Sequence, residues 1–138
     1  MGPMIYWGRM RFRGPHGRRR AVTDEETGAT RIERFVEPCI LLLLAEASRH
    51  GYSLRDELIR REWVEDVDFG HLYRTLRRME EAGLVTSEWA EEGPGPLKRV
   101  YRLAPAGKKL LQAWAASLRQ TRQVLDKFLR AYDASKLE

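Results

Sequence analysis

The sequence predicts a mainly α-helical fold with a small β-hairpin: a winged helix–turn–helix followed by a long C-terminal dimerisation helix. Three observations carry this. Three helical patterns follow one another over residues 35–83, joined by short connections. Two strand patterns around Gly93-Pro94-Gly95-Pro96 come directly after the third helix. Then Leu111, Trp114, Leu118, Thr121, Leu125, Phe128 and Tyr132 repeat in alternating steps of three and four, which is a heptad seam. The chain divides accordingly into a basic arm and linker (1–34), a winged helix–turn–helix (35–104) and a C-terminal helix (105–138).

Composition bounds the rest. A chain of 138 residues is long enough for one domain with extensions and can bury a core without staples. Its formal charge of +5 is compatible with an anionic partner without proving one. Cys39 is the single cysteine, so no intrachain disulfide can form; beside Ile40 and the leucine run it reads as a buried small hydrophobe. A basic N-terminus without an apolar segment behind it lacks the pattern of a secretory signal, and Cys39–Ala45 is too short to span a bilayer. The expected compartment is the cytoplasm, with no membrane partner.

The elements follow in order. Residues 1–20 hold no acid, and Arg9, Arg11, Arg13, Arg18, Arg19 and Arg20 alternate with Gly, Pro and aromatic residues. Two readings stand for this arm: a DNA-contacting extension or a solvated tail. Ile5, Tyr6 and Trp7 are apolar for a free tail and suit packing on the domain or a second subunit. Phe35–His50 is the first strong helix, with Pro38 in its first turn. Being apolar nearly all round, it is expected to be buried on more than one side, which hints at a subunit interface. Ser53 is the expected cap of the next helix, Leu54–Trp63, with Leu54, Leu58 and Ile59 inward and Glu57–Arg61 as an i,i+4 pair.

The third helix, Asp68–Gly83, organises the others. Leu72, Leu76 and Met79 make its apolar stripe, extended by Phe69, while His71, Arg74, Thr75 and Arg78 point elsewhere and Arg77 lies near the boundary. Asp68 is suited to cap its start and Gly83 to end it. Taken alone, this is an ordinary amphipathic surface helix or one that docks its basic front on DNA. The following hairpin favours the second reading, because a hairpin directly after such a helix is a wing. Its strands are Leu84–Glu91 and Arg99–Leu103, and the basic pair Lys98 and Arg99 can reach phosphates. Pro105 opens the last helix, whose seam is buried either against a second subunit or by folding back; the first is the natural solution for so long a helix.

From about Phe35 onward the chain resembles the PadR family of bacterial transcriptional regulators. The resemblance rests on CILLLLAEASRHGYSLRDEL, LYRTLRRMEEAGLVTSEW and KRVYRLAPAGKKLL. The tail WAASLRQTRQVLDKFLRAY, with FVEPCILLLL, also resembles the branch called the poly-3-hydroxybutyrate-responsive repressors. The resemblance implies a homodimeric repressor that binds double-stranded DNA at a palindromic operator and releases it on sensing an effector of unknown identity. Tyr73 matches the recognition-helix tyrosine, Arg77 and Arg78 its basic pair, and Lys98 and Arg99 the wing. His71 stands where many members carry a small hydroxyl, and Arg74 where many carry proline. Arg74 thereby gains reach to a base edge such as guanine. The expected DNA set is therefore His71, Arg74 and Thr75 near bases, with Tyr73, Arg77, Arg78, Lys98 and Arg99 on phosphates.

No enzyme chemistry is legible. His16, His50 and His71 lie on separate elements without ligand spacing, so no metal or cofactor is expected. No phosphate-binding or nucleophile-elbow motif occurs. Two alternatives remain. One is a winged helix that binds a protein or a polymer surface. The other is a small-molecule sensor with its ligand between paired C-terminal helices near Trp114.

Overall fold

The computed structural model describes residues 35–91 and 93–137, so the arm and linker lie outside the described residues. Its elements are α1 (Val36–Glu46), β1 (Arg49–His50), α2 (Gly51–Arg60), α3 (Phe69–Glu81), β2 (Val85–Ala90), β3 (Lys98–Leu103) and α4 (Pro105–Ser135). The strands form one antiparallel sheet in the order β1-β3-β2.

Helix α1 is the centre of the domain. Pro38, Cys39, Ile40, Leu41, Leu43 and Leu44 are all buried, and α2, β3 and α4 pack around them. The burial on several sides expected from the sequence is therefore supplied by the chain itself, with Leu42 left exposed. Among these residues burial pushes the Cys39 thiol up to about 12, which makes it an inert core residue.

The first helix is shorter than its apolar pattern. It stops at Glu46, Ala47 is extended, and Arg49–His50 pair with Tyr101 and Val100 of β3. The expected hairpin is thus a three-stranded sheet. A bare β3 edge would leave backbone groups without partners, and two extended residues satisfy some of them. Arg49 adds a bond from its Nε to the Leu43 carbonyl at 3.1 Å, a second donor beside the Ala47 N–H at 3.2 Å.

Helix α2 also starts earlier than expected. His50, not Ser53, is its N-cap residue, and no side chain caps it. Gly51 lets the Tyr73 ring lie against the start of α2: a Cβ there would stand 2.5–2.8 Å from its ring and hydroxyl atoms and displace the ring end. Leu54 and Leu58 enter the core. Arg61 bonds Glu57 at 2.9 Å, as the i,i+4 spacing predicts, and also reaches Glu46 at 2.7 and 2.8 Å. The ends of α1 and α2 are thereby tied together.

Helix α3 has both expected termini. The Asp68 carboxylate accepts from the His71 N–H at 2.7 Å, and Gly83 takes φ +79°. Its buried stripe is Leu72, Thr75, Leu76 and Met79. Two corrections follow. Thr75, at 1% exposure, belongs to the core and not to the outer face, whereas Phe69 is exposed. Thr75 falls on the i, i+3, i+4, i+7 pattern set by Leu72, and its methyl lets a β-branched polar residue fill that place. Phe69, in the first turn, stands beyond the edge of the core and stacks on Tyr73 at 6.0 Å.

Helix α4 begins at Pro105 without a side-chain cap on Ala104. Gly107 lets it lie on the Leu84 carbonyl, which any Cβ would strike. Leu110, Leu111 and Leu118 pack on the core and Trp114 is inside it, 1% exposed. Trp114, which the heptad pattern places in the seam between subunits, is instead buried within its own domain, because it lies in the half of α4 that packs on the winged core. From Val124 onward the helix is exposed, including Leu125, Phe128, Leu129 and Tyr132. Among the described residues no helix is long and apolar enough to cross a membrane.

Candidate nucleic-acid interface

The packing of α3 decides which of its side chains face outward. With Leu72, Thr75, Leu76 and Met79 inward, helical geometry puts Gly70, Arg74 and Arg77 on the opposite side. His71 and Arg78 occupy one flank, Tyr73 and Glu80 the other. Arg77 is thus central on the exposed face and not at its boundary.

The start of α3 is held by α2. Arg55 Nε donates to the Val67 carbonyl at 2.7 Å, and its guanidinium lies 4.9 Å from the Phe69 ring centre. The Asp68 carboxyl sits below its usual range because it accepts the His71 N–H, with a smaller contribution from Arg74. On the outer flank Arg78 bonds Glu37 of α1 at 2.6 Å. That pairing removes much of the free charge expected of Arg78.

The wing supplies the other cations. Lys98 and Arg99 are both half-buried at the start of β3. Lys98 Nζ lies 5.3 Å from the Tyr52 ring centre and donates to its hydroxyl at 3.5 Å. Arg99 lies 5.0 Å from the Trp89 ring centre, and its Nε donates to Ser87 Oγ at 2.9 Å. Between wing and helix opens a cleft of about 520 Å³, with Tyr52, Tyr73, Arg77, Trp89, Lys98 and Arg99 among its walls. At its floor, burial raises the Tyr101 hydroxyl above the usual tyrosine range, so it stays neutral.

Among the described residues, Arg74, Arg77, Lys98 and Arg99 have no carboxylate within ion-pair distance, whereas Arg78 does. Uncompensated cations beside exposed aromatic rings suit a polyanion with apolar sugars. The fold brings Tyr73, Arg77, Lys98 and Arg99 around one cleft, leaves Arg74 on the outward face of α3 with His71 and Arg78 on its other flank, and buries Thr75. Sequence reasoning missed Tyr52, Trp89, Arg55 and Glu37. Tyr52 had a signal in the His50-Gly51-Tyr52 run, whereas Glu37 had none, since its partner is far away in sequence. The described residues contain no cluster of side chains able to hold a metal.

A helical core with a small sheet, and a basic helix beside a wing, define a winged helix–turn–helix protein. The chain belongs to the PadR-like family of transcriptional regulators, whose family model matches residues 40–113. It is 36% identical over 88 residues to the transcriptional regulator Rv3488 of Mycobacterium tuberculosis, covering 64% of this chain and 63% of that one. A PadR family transcription regulator from Clostridium difficile R20291 has a similar structure, with a TM-score of 0.62 and 25% identity over 69% of this chain and 98% of that one. Bacillus subtilis PadR, solved in complex with operator DNA, shares the fold at a TM-score of 0.54 and 23% identity, over 60% of this chain and 47% of that one. The chain is a transcriptional regulator and not an enzyme.

Proposed function

We propose that this regulator binds operator DNA as a homodimer, with α3 of each subunit in the major groove and each wing on the flanking backbone. The observation that carries the reading is the outward pair Arg74 and Arg77. They lie opposite the buried stripe and carry no ion-pair partner among the described residues, and Arg77 shares the cleft with the wing cations. Guanidinium groups so exposed can bond guanine edges bidentately. The operator complex of the Bacillus subtilis relative supports the same use of the fold.

Roles within the set follow from the packing. Arg74 and Arg77 meet base edges, with His71 beside them. Lys98 and Tyr73 hold phosphates. Arg78, bonded to Glu37, contributes less than its charge suggests. Support for the homodimer comes from α4: Val124, Leu125, Phe128, Leu129 and Tyr132 are more than half exposed. A stripe of that kind is commonly covered by an identical stripe related by twofold symmetry.

Selection of bound duplexes from a random pool tests this reading. The expected winner is a palindrome whose half-sites lie about one helical turn, or a multiple of it, apart. A pool that converges on nothing, or on a lone half-site, contradicts it.

A further inference from the structure

Beyond the short turn that connects them, one hydroxyl links side chains of the wing and the recognition helix. Ser87 Oγ on β2 donates to Glu80 of α3, 3.0 and 2.9 Å from its two carboxylate oxygens. The same oxygen accepts from Arg99 Nε of β3 at 2.9 Å. A serine hydroxyl has one proton to give and lone pairs to receive, so it can fill both roles together. Glu80, Ser87 and Arg99 are all half-buried. Partial removal from water strengthens such charge-assisted bonds.

The position of this relay is informative. Glu80 comes three residues after Arg77, and Arg99 directly follows Lys98. Arg77 and Lys98 line the same cleft from opposite elements. The register sets Ser87 opposite Tyr101, with Val85–Leu103 on the core side and Trp89–Arg99 on the outer side. Val85 is buried while Trp89 is exposed, so the relay ties the hairpin to α3 just where it leaves the core. Arg99, expected on a phosphate, is already engaged by Ser87 and Trp89. Lys98 is left as the wing's cation toward the cleft.

We propose that Ser87 and Glu80 are positioning residues for DNA binding: they fix the separation of Arg77, which meets a base edge, and Lys98, which holds the sugar–phosphate backbone across the cleft that both line. This rests on the DNA-binding reading above. A duplex presents a base edge and its flanking phosphates at set spacings, so a base-reading guanidinium and a phosphate-binding cation held at a matching distance bind without first losing conformational freedom. Tyr52 and Trp89 offer apolar surface for the deoxyriboses between the phosphates. A wing freed from α3 keeps its charge but loses that match.

The experiment uses the full chain, a selected operator duplex, a scrambled duplex of equal length, and fluorescence anisotropy over a range of salt. Ser87→Ala should weaken operator binding about tenfold, the scale of one or two half-buried hydrogen bonds. Its affinity for the scrambled duplex and its salt slope should not change, because no phosphate-binding cation is lost. Ser87→Thr, which keeps the hydroxyl, should restore operator affinity, and Glu80→Gln should show a smaller loss of the same kind. Lys98→Gln should instead weaken both duplexes and flatten the slope. Thermal melts followed by circular dichroism separate these effects from unfolding, and Glu80→Gln carries the test should Ser87→Ala melt early. The proposal is overturned if the folded relay variants bind operator like the wild type, or weaken both duplexes equally. A wild-type chain that does not discriminate operator from scrambled DNA overturns the DNA-binding reading itself, and the relay with it.

Discussion

The two halves of α4 share one sequence rhythm but have different surroundings. In the first half Leu111, Trp114 and Leu118 pack on the chain's own winged domain. In the second half Leu125, Phe128 and Tyr132 continue the same steps of three and four, and all are exposed. Periodicity therefore identifies an apolar face but not what covers it. Length decides the matter, because a 31-residue helix outreaches a small domain.

This contrast can be broken most forcefully at Trp114. Trp114→Ala should cost about 3–5 kcal/mol of stability, the usual range for emptying a buried aromatic site. Urea unfolding of the isolated subunit measures it. A loss below about 1 kcal/mol would return Trp114 to the seam between subunits.

The second half predicts the reverse behaviour. Leu125→Glu with Phe128→Glu should weaken self-association at least about a hundredfold, since buried unpaired charge is costly. The melting of the winged domain should hardly change. Sedimentation velocity reads the first effect and circular dichroism the second. Dissociation accompanied by unfolding would mean that the two halves are not separable.

Within the DNA-facing region the contrast is between Arg77 and Arg78, which are neighbours in sequence. Arg77→Ala should cost about 1–3 kcal/mol on a selected operator and relax preference at one base position. Arg78→Ala should cost less and act on all sequences alike, because Glu37 already holds that guanidinium. Equal losses from both would remove the distinction.

The smallest expected effect is on acid stability. Glu57 is held down to about 2, chiefly by its bonds from Arg60 and Arg61, against an ordinary 4.5. A carboxyl lowered on folding stabilises the native state above its unfolded value. That contribution fades as pH falls from about 4.5 toward about 2. Arg61→Gln should make the melting temperature less dependent on pH across that window, and an unchanged acid limb would show that the pairing is immaterial.

Much of this was legible in the sequence. Asp68, Gly83, Pro38 and Pro105 act locally, and each ends or starts its helix as its chemistry requires. The errors arise where a distant partner decides. The strand at Arg49–His50 exists because β3 offers an open edge, which a helical pattern ending nearby does not reveal. Thr75 is polar by composition but inward by position. Trp114 fits a heptad seam in sequence and a core in space. The link through Ser87 was invisible because it joins three elements by side chains alone.

The central claim, that the face shared by α3 and the wing binds duplex DNA as a pair of subunits, is tested most directly by the salt dependence of operator affinity. If each subunit neutralises about four phosphates, log affinity should fall against log salt with a slope near −7. A slope near zero, with binding intact, would contradict it.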